Sequence, residues 1–273
     1  MIGLLAHKKT LENELILEAF KKRNLKVDFV DSREIINGIE NYHYDLILSR
    51  VERDYLFEGI YALKFFESEG LNVINNSETV YTCQNKYLTY LKLKKYMPKS
   101  FLTYTNNFEK ILNAMEKNKM DFPIVIKPIY GGYGNGVVKV NSREELKNIV
   151  ELLKFHNREI FIQEFVKYEN DVRAFVVGDD IIGVMERIPK NDWRANFSLG
   201  ADVREFKLDN ETEELILKCV EKVGADIVGV DVLVCRDKSY ILEMNITPQF
   251  RGMMKFVDVP NAIVDFCISR IKK

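Results

Sequence analysis

The segment Asp226-Ile-Val-Gly-Val-Asp231 is followed by Tyr240-Ile-Leu-Glu243-Met-Asn245, and both carry acids or an amide where a core strand usually carries Val or Ile. Residues two apart in a strand share a face, so Glu243 and Asn245 point the same way. The opposite face takes the apolar side chains Leu242, Met244 and Ile246. If the two segments pair as a hairpin, Asp231 falls directly opposite Glu243 and projects to the same side.

Three oxygen-bearing side chains on one face of a rigid sheet would suit a divalent metal. Asp231, Glu243 and Asn245 offer hard oxygen ligands of the kind that Mg²⁺ prefers, and such an ion holds the phosphates of a nucleotide. The alternative is a solvated sheet face with incidental acids. The two segments alone favour neither interpretation.

The composition limits the classes of protein to which the chain can belong. The chain has 273 residues, enough for a large core and for two or more domains, and its 47% hydrophobic content is ordinary for a globular protein. A net charge of -1 leaves no basic footprint, so we expect no nucleic-acid partner. No apolar segment approaches the length of a transmembrane helix, so we expect no membrane association. The four cysteines are far apart in sequence, which favours free thiols in the cytoplasm over a zinc site.

The order of elements predicts three units. The N-terminal third alternates strands and helices, which indicates a parallel sheet in a small Rossmann-like domain, although the Gly-x-Gly-x-x-Gly sequence is absent. A helical segment over 77–96 leads out of it, and Pro98 marks a boundary. Two α+β modules follow, the second beginning with long adjacent strands from Ile160. We therefore expect an N-terminal α/β domain with its linker helix over 1–96, a central lobe over 97–158 and a C-terminal lobe over 159–273.

A lysine at the end of a predicted strand precedes a glycine-rich loop, Ile124-Val-Ile-Lys127-Pro-Ile-Tyr130-Gly-Gly-Tyr-Gly-Asn-Gly136. Glycines let the backbone approach a polyphosphate and present N–H donors, and Lys127 supplies a positive charge. This is not a Walker loop, because no Gly-Lys-Ser/Thr follows and the next segment is a strand. The alternative is a mobile hairpin with a solvated lysine, but the loop composition favours phosphate binding.

Three further motifs are weak when taken singly. Phe161-Ile-Gln163-Glu164-Phe165-Val166 ends a strand beside an apolar pair and can offer backbone groups to an adenine edge. Asp171-Val-Arg173 and Asp192-Trp-Arg194-Ala-Asn196 carry arginines, which match carboxylates and phosphates in a bidentate fashion. Many strand ends and solvated arginines look similar, so only the combination is informative.

Taken in their order along the chain, from the glycine-rich loop after Lys127 to the two hairpin segments, the six motifs resemble those of the ATP-grasp superfamily. The resemblance is specifically to the RimK-like (ribosomal S6 modification) glutamate ligases. The resemblance covers nearly the whole chain. It implies α/β and α+β architecture, with a Rossmann-like pre-ATP-grasp domain followed by a two-lobed ATP-grasp fold. It also implies an ADP-forming enzyme that activates a carboxylate as an acyl phosphate and joins it to an amine.

The resemblance also assigns roles to residues. ATP contacts fall on Lys86, Lys127, Gly131, Gly132, Tyr133, Gly134, Gln163, Glu164, Phe165, Val166 and Asp171, the last on the ribose side. Lys86 follows an asparagine where the family often has Asp-Lys. The catalytic groups near the transferring phosphate are Arg194, Asn196 and Arg173. The ligands of Mg²⁺, with Mn²⁺ as a substitute, are Asp231, Glu243 and Asn245.

The resemblance implies L-glutamate as the amine donor. The acceptor would be a carboxylate on a protein C-terminus or on a glutamyl-tailed cofactor of the tetrahydromethanopterin or deazaflavin type. Gln249-Phe250-Arg251 departs from the commoner glycine-containing continuation, which leaves the acceptor open. One alternative is a ligase of the aminoadipate carrier-protein lysine pathway, which the nearly neutral chain suits less well. Another is an ATP-binding protein without catalysis, which would not need the metal triad. We expect a homo-oligomer.

Cationic side chains at the strand ends of the N-terminal domain suggest a further role. His7, Lys8, Arg50 and Arg53 follow predicted strands, and ligands of open α/β sheets lie beyond the carboxyl ends of strands. These side chains either meet an anionic acceptor or form a solvated basic edge.

Overall fold

The computed structural model describes residues 1–36, 42–105, 107–132, 134–154, 159–190, 193–194 and 201–271. The strands in this part form three sheets, one in an N-terminal unit, one in a central lobe and one in a C-terminal lobe. No helix among the described residues has the length and apolarity needed to cross a membrane.

The N-terminal unit is a four-stranded parallel sheet in the order β2-β1-β3-β4. Its elements are β1 (Ile2–Ala6), α1 (Leu11–Lys22), β2 (Val27–Asp31), β3 (Leu46–Ser49), α2 (Leu56–Ser68) and β4 (Val73–Ile74). The side chain of Thr10 accepts a hydrogen bond from the backbone N–H of Asn13 and so caps α1. Glu12 and Glu14 lie in the first turn, at the positive end of the helix dipole.

The linker between the first two units consists of two helices, α3 (Ser77–Gln84) and α4 (Lys86–Leu93), where one helical segment was expected. Asn85 separates them, because its backbone is extended and its side chain accepts from the backbone N–H groups of Tyr87 and Leu88. The capping side chain competes with helix continuation and starts a new helix at Lys86.

The central lobe is an antiparallel sheet in the order β5-β8-β6-β7. Its elements are β5 (Ser100–Thr103), α5 (Phe108–Lys117), β6 (Ile124–Lys127), β7 (Val138–Val140), α6 (Arg143–Lys154) and β8 (Ile160–Glu164). We expected Ile160 to begin the C-terminal lobe, but β8 pairs with β5 and β6. Local sequence predicts that a strand exists and not which partner it takes. We therefore propose that the boundary follows Glu164 and not residue 158.

The C-terminal lobe is a five-stranded antiparallel sheet in the order β11-β10-β9-β12-β13. Its elements are β9 (Asn170–Val177), β10 (Asp180–Ile188), β11 (Asp202–Glu205), α7 (Asn210–Val223), β12 (Ile227–Val234), β13 (Tyr240–Asn245) and α8 (Val259–Ile271). Asp209 caps α7, and Gly224 ends it at φ 74°, a conformation that favours glycine.

Packing joins the two outer units more closely than either joins the central lobe. The central lobe has its own core around Ile111, Ile124, Leu146 and Ile162. Two other cores each combine residues of the N-terminal unit and of the C-terminal lobe, and α1 packs on α8. The first of these two cores also includes Ile129 and Phe161 of the central lobe. The outer units therefore form one packed body, and the central lobe joins it through a smaller set of core residues.

Asn75 connects these outer units by hydrogen bonds, and its replacement tests the connection. Its Nδ2 donates to the carbonyl of Ile227 at 2.8 Å, and its Oδ1 accepts from the N–H groups of Asp226 and Ile227 at 2.7 and 3.1 Å. Asn75→Ala leaves buried backbone groups unpaired, so we expect the free energy of unfolding to fall by about 1–3 kcal/mol. Urea unfolding measures this. The matched control is Asn210→Ala, at an exposed position; an equal loss in both variants would contradict the assignment.

Candidate active site

A cleft between the central and C-terminal lobes collects the residues predicted to bind ATP. Its empty space, including the part open to solvent, measures about 820 Å³. The predicted residues that line it are Lys86, Lys127, Gly131, Gly132, Gly134, Gln163, Glu164, Phe165, Val166 and Asp171, together with Arg194, Asp231 and Glu243. Tyr133 and Asn196 lie outside the described residues. We call this space the first cleft.

A second cleft adjoins the first, on the side of the N-terminal unit. Its empty space measures about 1630 Å³, and its lining includes Arg173 and Asn245. Gly131, Gly132, Arg187 and Glu243 line both clefts. A group bound in one cleft therefore shares a wall of cationic and acidic side chains with a group bound in the other.

The hairpin of β12 and β13 has the predicted register at the acids. Asp231 lies opposite Glu243, and Gly229 lies opposite Asn245. The register then shifts, because Val232 pairs with Ile241 and leaves Leu242 without a partner. We expected Leu242 to share the core-facing side of Met244, but the bulge turns it into the lining of the first cleft.

Two arginines hold the buried carboxylate of Asp231, which is 3% exposed. Arg173 donates to it through Nε and Nη2 at 2.7 and 2.9 Å, and Arg187 donates through Nη1 at 3.0 Å. Burial alone would raise the pKa of Asp231, but the arginines outweigh it and lower the pKa to about 2. Asp231 is therefore ionised at every pH at which the protein is expected to work.

Arg187 is a site residue that the sequence analysis missed. Its guanidinium is buried between Asp231 and Asp171, whose Oδ1 accepts from Nε at 2.8 Å. Burial opposes ionisation, but the two carboxylates raise the pKa of Arg187. Burial raises the pKa of Asp171. Asp171 lines the first cleft as predicted, but its carboxylate pairs with Arg187. An arginine near the end of an apolar strand was the only signal in the sequence.

Lys86 links the glycine-rich loop to the hairpin. Its ammonium donates to the carbonyl of Gly131 at 2.8 Å and forms an ion pair with Glu243 at 2.9 Å. Its backbone N–H donates to the carbonyl of Ile129 at 2.9 Å. Lys86 therefore contacts both the loop and one of the candidate metal ligands, although the asparagine before it departs from the family pattern.

Lys127 lies at the base of the loop, as expected. Its ammonium donates to Oε1 of Gln163 at 2.7 Å, and Gln163 in turn donates to Ser100. Burial lowers the pKa of Lys127 to about 8; the Glu243 carboxylate opposes this shift, and the Lys86 ammonium adds to it. The side chain of Gln163 thus orients a lysine, in addition to lining the space proposed for adenine.

The glycine-rich loop needs glycine at specific positions. Gly134 and Gly136 have φ of 75° and 72°, which L side chains rarely adopt. At Gly131 a Cβ would lie 3.0 Å from Cγ of Pro128, whereas Gly132 has open space around it. Nη1 of Arg194 donates to the carbonyl of Gly134 at 2.6 Å, so this predicted catalytic residue contacts the loop.

Apolar side chains form much of the first cleft away from its charged end. Val125, Leu233 and Leu242 line it, and none of them was predicted as a site residue. Phe165 packs edge-on against Trp193 with ring centroids 6.1 Å apart, and the Lys139 ammonium lies 3.8 Å from its ring centroid. An apolar space suits the planar adenine ring of ATP, and the charged end of the cleft is then left for the phosphates.

The candidate metal ligands fit a divalent ion by their chemistry. Nδ2 of Asn245 is buried and has no hydrogen-bond partner among the described residues. An N–H group cannot ligate a cation, so Oδ1 is the atom of this amide that would serve as a ligand. Asp231 accepts three hydrogen bonds and retains acceptor capacity. In the described part of the chain, no three His, Cys, Asp or Glu side chains form a metal-binding group, and the candidate set consists of two carboxylates and one amide.

The predicted basic edge of the N-terminal unit divides into two pairs. Lys8 and Arg53 line the second cleft. His7 and Arg50 are buried, at 5% and 4% exposure. Arg50 donates through both terminal nitrogens to the carbonyl of Pro248 at 3.3 and 3.2 Å, so it supports the chain after the hairpin and does not face the cleft.

Comparison with known proteins gives the family. The model of the RimK-like ATP-grasp domain matches residues 84–266. The chain is 30% identical over 273 residues to the glutamate–LysW ligase ArgX of Sulfolobus acidocaldarius, covering 93% of each chain. It is 32% identical over 234 residues to the coenzyme gamma-F420-2:alpha-L-glutamate ligase of Methanocaldococcus jannaschii, covering 84% of this chain and 76% of the relative.

Solved structures show the same fold. The RimK-domain ATP-grasp protein of Sphaerobacter thermophilus superposes with a TM-score of 0.78 at 20% identity, over 97% of this chain and 98% of the other. The ATP-grasp ligase PsnB, complexed with minimal precursor, Mg and ADP, superposes with a TM-score of 0.77 at 17% identity, over 100% and 98%. The ATP-grasp fold implies the use of ATP and a divalent metal. The mixed α/β class and the ATP-grasp fold are confirmed, and the chain is an ADP-forming ligase that belongs to the RimK-like ATP-grasp family.

Proposed function

We propose that this ligase joins L-glutamate to a carboxylate acceptor. The observation that carries the proposal is the shared wall of the two clefts, in which Arg187 and Glu243 face both the ATP-binding space and its neighbour. A ligase of this kind must bring the terminal phosphate of ATP against a carboxylate and then admit an amine. Two joined clefts supply that arrangement.

The reaction has two steps on the bound substrates. An oxygen of the acceptor carboxylate attacks the γ-phosphorus, the bond to the β-phosphate oxygen breaks, and ADP leaves. The amine then attacks the acyl carbon, inorganic phosphate leaves with the bonding pair, and the amine loses a proton. Positioning and charge neutralisation dominate such phosphoryl transfers.

The chain's own cations supply that neutralisation. Lys127, Lys86 and the loop N–H groups would bind the ATP phosphates, since they converge at the polar end of the first cleft. Arg173 and Arg194, with Asn196, would act where negative charge develops during transfer. A positioned donor of this kind contributes about 10²–10³-fold to the rate.

The metal would be held by Asp231, Glu243 and Asn245. We propose Mg²⁺, with Mn²⁺ as a substitute, because the ligands are a mixed set of carboxylate and amide oxygens. When bound, the ion neutralises phosphate charge and acts as a Lewis acid. Arg173 and Arg187 keep Asp231 ionised and fixed in orientation for this role.

The relatives support glutamate as the donor and leave two types of acceptor. Their names include a coenzyme F420 glutamate ligase and a tetrahydromethanopterin glutamate ligase, both of which act on cofactors. They also include glutamate–LysW and alpha-aminoadipate–LysW ligases, the first of which matches 93% of this chain. We propose a glutamyl-tailed cofactor or a protein C-terminus as the acceptor, and a ligase acting on a LysW-type carrier protein as the second candidate.

A screen for ADP release tests the function. The chain is incubated with ATP, Mg²⁺, each amino acid and each type of acceptor, and the products are analysed by mass spectrometry. We expect ADP release that depends on both glutamate and an acceptor, with a product heavier by one or more glutamyl units. Turnover with another amino acid alone would refute the donor assignment. ATP binding without any product would support the non-catalytic alternative.

Removal of Glu243 tests the metal site. Glu243→Ala deletes a proposed ligand, so we expect kcat to fall by about 10²–10³-fold with the fold retained. Steady-state kinetics at several Mg²⁺ concentrations and circular dichroism measure the two effects. The control is Glu205→Ala, an exposed acid outside both clefts. Full activity in Glu243→Ala would eliminate this residue as a ligand.

The lowered pKa of Lys127 predicts how ATP affinity depends on pH. The ammonium binds phosphate and the neutral amine does not, so affinity should be constant below pH 8 and should decrease as pH rises above about 8. Calorimetric titration with ATP between pH 6.5 and 9.5 measures this. Between pH 8 and 9.5, binding should take up protons, because the phosphates raise the pKa of Lys127. In Lys127→Arg the decrease should disappear, since arginine stays charged throughout. An unchanged decrease in that variant would assign the titration to another group.

A further inference from the structure

Glu12, in the first turn of α1, is a buried carboxylate that the proposed chemistry does not use. It is 1% exposed. Among the described residues its only hydrogen-bond partner is Arg251, which donates through Nε at 2.9 Å and through Nη2 at 3.4 Å. A buried carboxylate is costly unless it is paired, and a pair of this kind adds little net stability. Stability alone therefore does not account for the placement of Glu12.

The main chain that carries Arg251 is fixed by the N-terminal unit. Thr247 donates through its hydroxyl to the carbonyl of Val51 at 2.7 Å. Arg50 donates to the carbonyl of Pro248, as described above, and its guanidinium lies 5.9 Å from the ring centroid of Phe250. Phe250 is fully buried. Arg251 is thus attached to a rigid segment, and Glu12 fixes the far end of its side chain.

The pairing leaves part of the Arg251 guanidinium available. The group has five N–H donors, and Glu12 takes one from Nε and one from Nη2. Nη1 donates to no other described residue. The side chain is 52% exposed and lines the second cleft. A fixed guanidinium with an open edge matches the geometry of a carboxylate.

The other four cations of the second cleft differ from Arg251 in their location or in the carboxylate with which they pair. Lys8 pairs with Glu52 at 3.3 Å, and Arg53 pairs with its neighbour Asp54 at 3.1 Å, both within the N-terminal unit. Arg173 and Arg187 surround Asp231 at the wall shared with the first cleft. Arg251 alone of the five is held by a fully buried carboxylate from another unit while it faces the cleft.

We propose that Arg251 binds a carboxylate of a substrate that does not take part in bond formation, and that Glu12 is its positioning residue. The inference rests on the proposed function, in which the second cleft holds the amino acid and the acceptor. The carboxylate belongs either to the glutamate side chain or to the tail of the acceptor.

Substitution of Arg251 distinguishes the two sources. In Arg251→Met we expect the KM of one substrate to rise about 10- to 100-fold, with the KM of ATP unchanged. If glutamate is the source, the preference for glutamate over glutamine should decrease by a similar factor. If the acceptor is the source, the preference for an acceptor whose non-reacting carboxylate is free, over one in which only that carboxylate is amidated, should decrease instead. Arg251→Lys should recover part of the loss.

Glu12→Gln separates positioning from a purely structural contact. A glutamine keeps the shape but removes the charge and one of the two acceptor oxygens, so it holds the guanidinium less firmly. The same KM should therefore rise by a smaller factor than in Arg251→Met, without a change in the KM of ATP. A structural contact would lower the melting temperature and leave both KM values unchanged. The control is Arg270→Met, which removes a guanidinium paired with Asp226 at 3.2 Å outside both clefts.

The outcomes separate this inference from the proposed function. Unchanged KM values for both substrates in Arg251→Met would overturn the inference and leave the ligase activity standing. Turnover by the wild type of a different dicarboxylic amino acid would overturn the glutamate assignment, and the variants would then be measured with that substrate. Calorimetric titration with L-glutamate and with the acceptor, in the presence of ADP and Mg²⁺, tests the contact without turnover. No binding of either to the wild type, or equal affinities in the wild type and Arg251→Met, would overturn it.

Discussion

The ionised carboxylate of Asp231, buried within a strand, is the constraint on which the site depends. Residues 227–233 of β12 are all buried, so a charge there must be offset by partners in the same sheet. Arg173 lies directly across on β9, and Arg187 reaches the same carboxylate from β10. A shift of register by one residue would turn Asp231 away from both arginines. The contacts that keep the charge ionised therefore also specify how the sheet pairs.

The two clefts differ in how their walls are built. The second cleft is formed by the C-terminal lobe and the N-terminal unit, which share two hydrophobic cores. The first cleft is closed by the central lobe, which has a core of its own and adds Ile129 and Phe161 to one of the shared cores. The contacts of Lys86 with Gly131 and of Arg194 with Gly134 connect the glycine-rich loop to the rest of the molecule. The base of the loop is thus held by packing at Ile129, whereas its glycines are held by polar contacts.

The sequence predicts the elements and the local geometry better than the contacts between units. The pairing of Asp231 with Glu243 follows from alternation along a hairpin, and the structure has this pairing. The bulge at Leu242 did not follow, because alternation assumes an unbroken register. The partner of β8 and the role of Arg187 did not follow, because each depends on residues distant in sequence. Glu12 is the clearest case. In the sequence it is an acid in the first turn of a helix, and only the fold brings it to Arg251.

The charges of the second cleft bear on the acceptor more directly than the net charge of the chain. The chain has a net charge of -1, which by itself disfavours an acidic partner. Five cations line the second cleft, Lys8, Arg53, Arg173, Arg187 and Arg251, and each of them pairs with a carboxylate, from Glu52, Asp54, Asp231, Asp171 and Glu12. An acidic acceptor would therefore be held by a single guanidinium that keeps an open edge, as Arg251 does, and not by an excess of positive charge. The net charge of the chain consequently does not separate a small cofactor from a carrier protein, since either can offer one carboxylate to such a group.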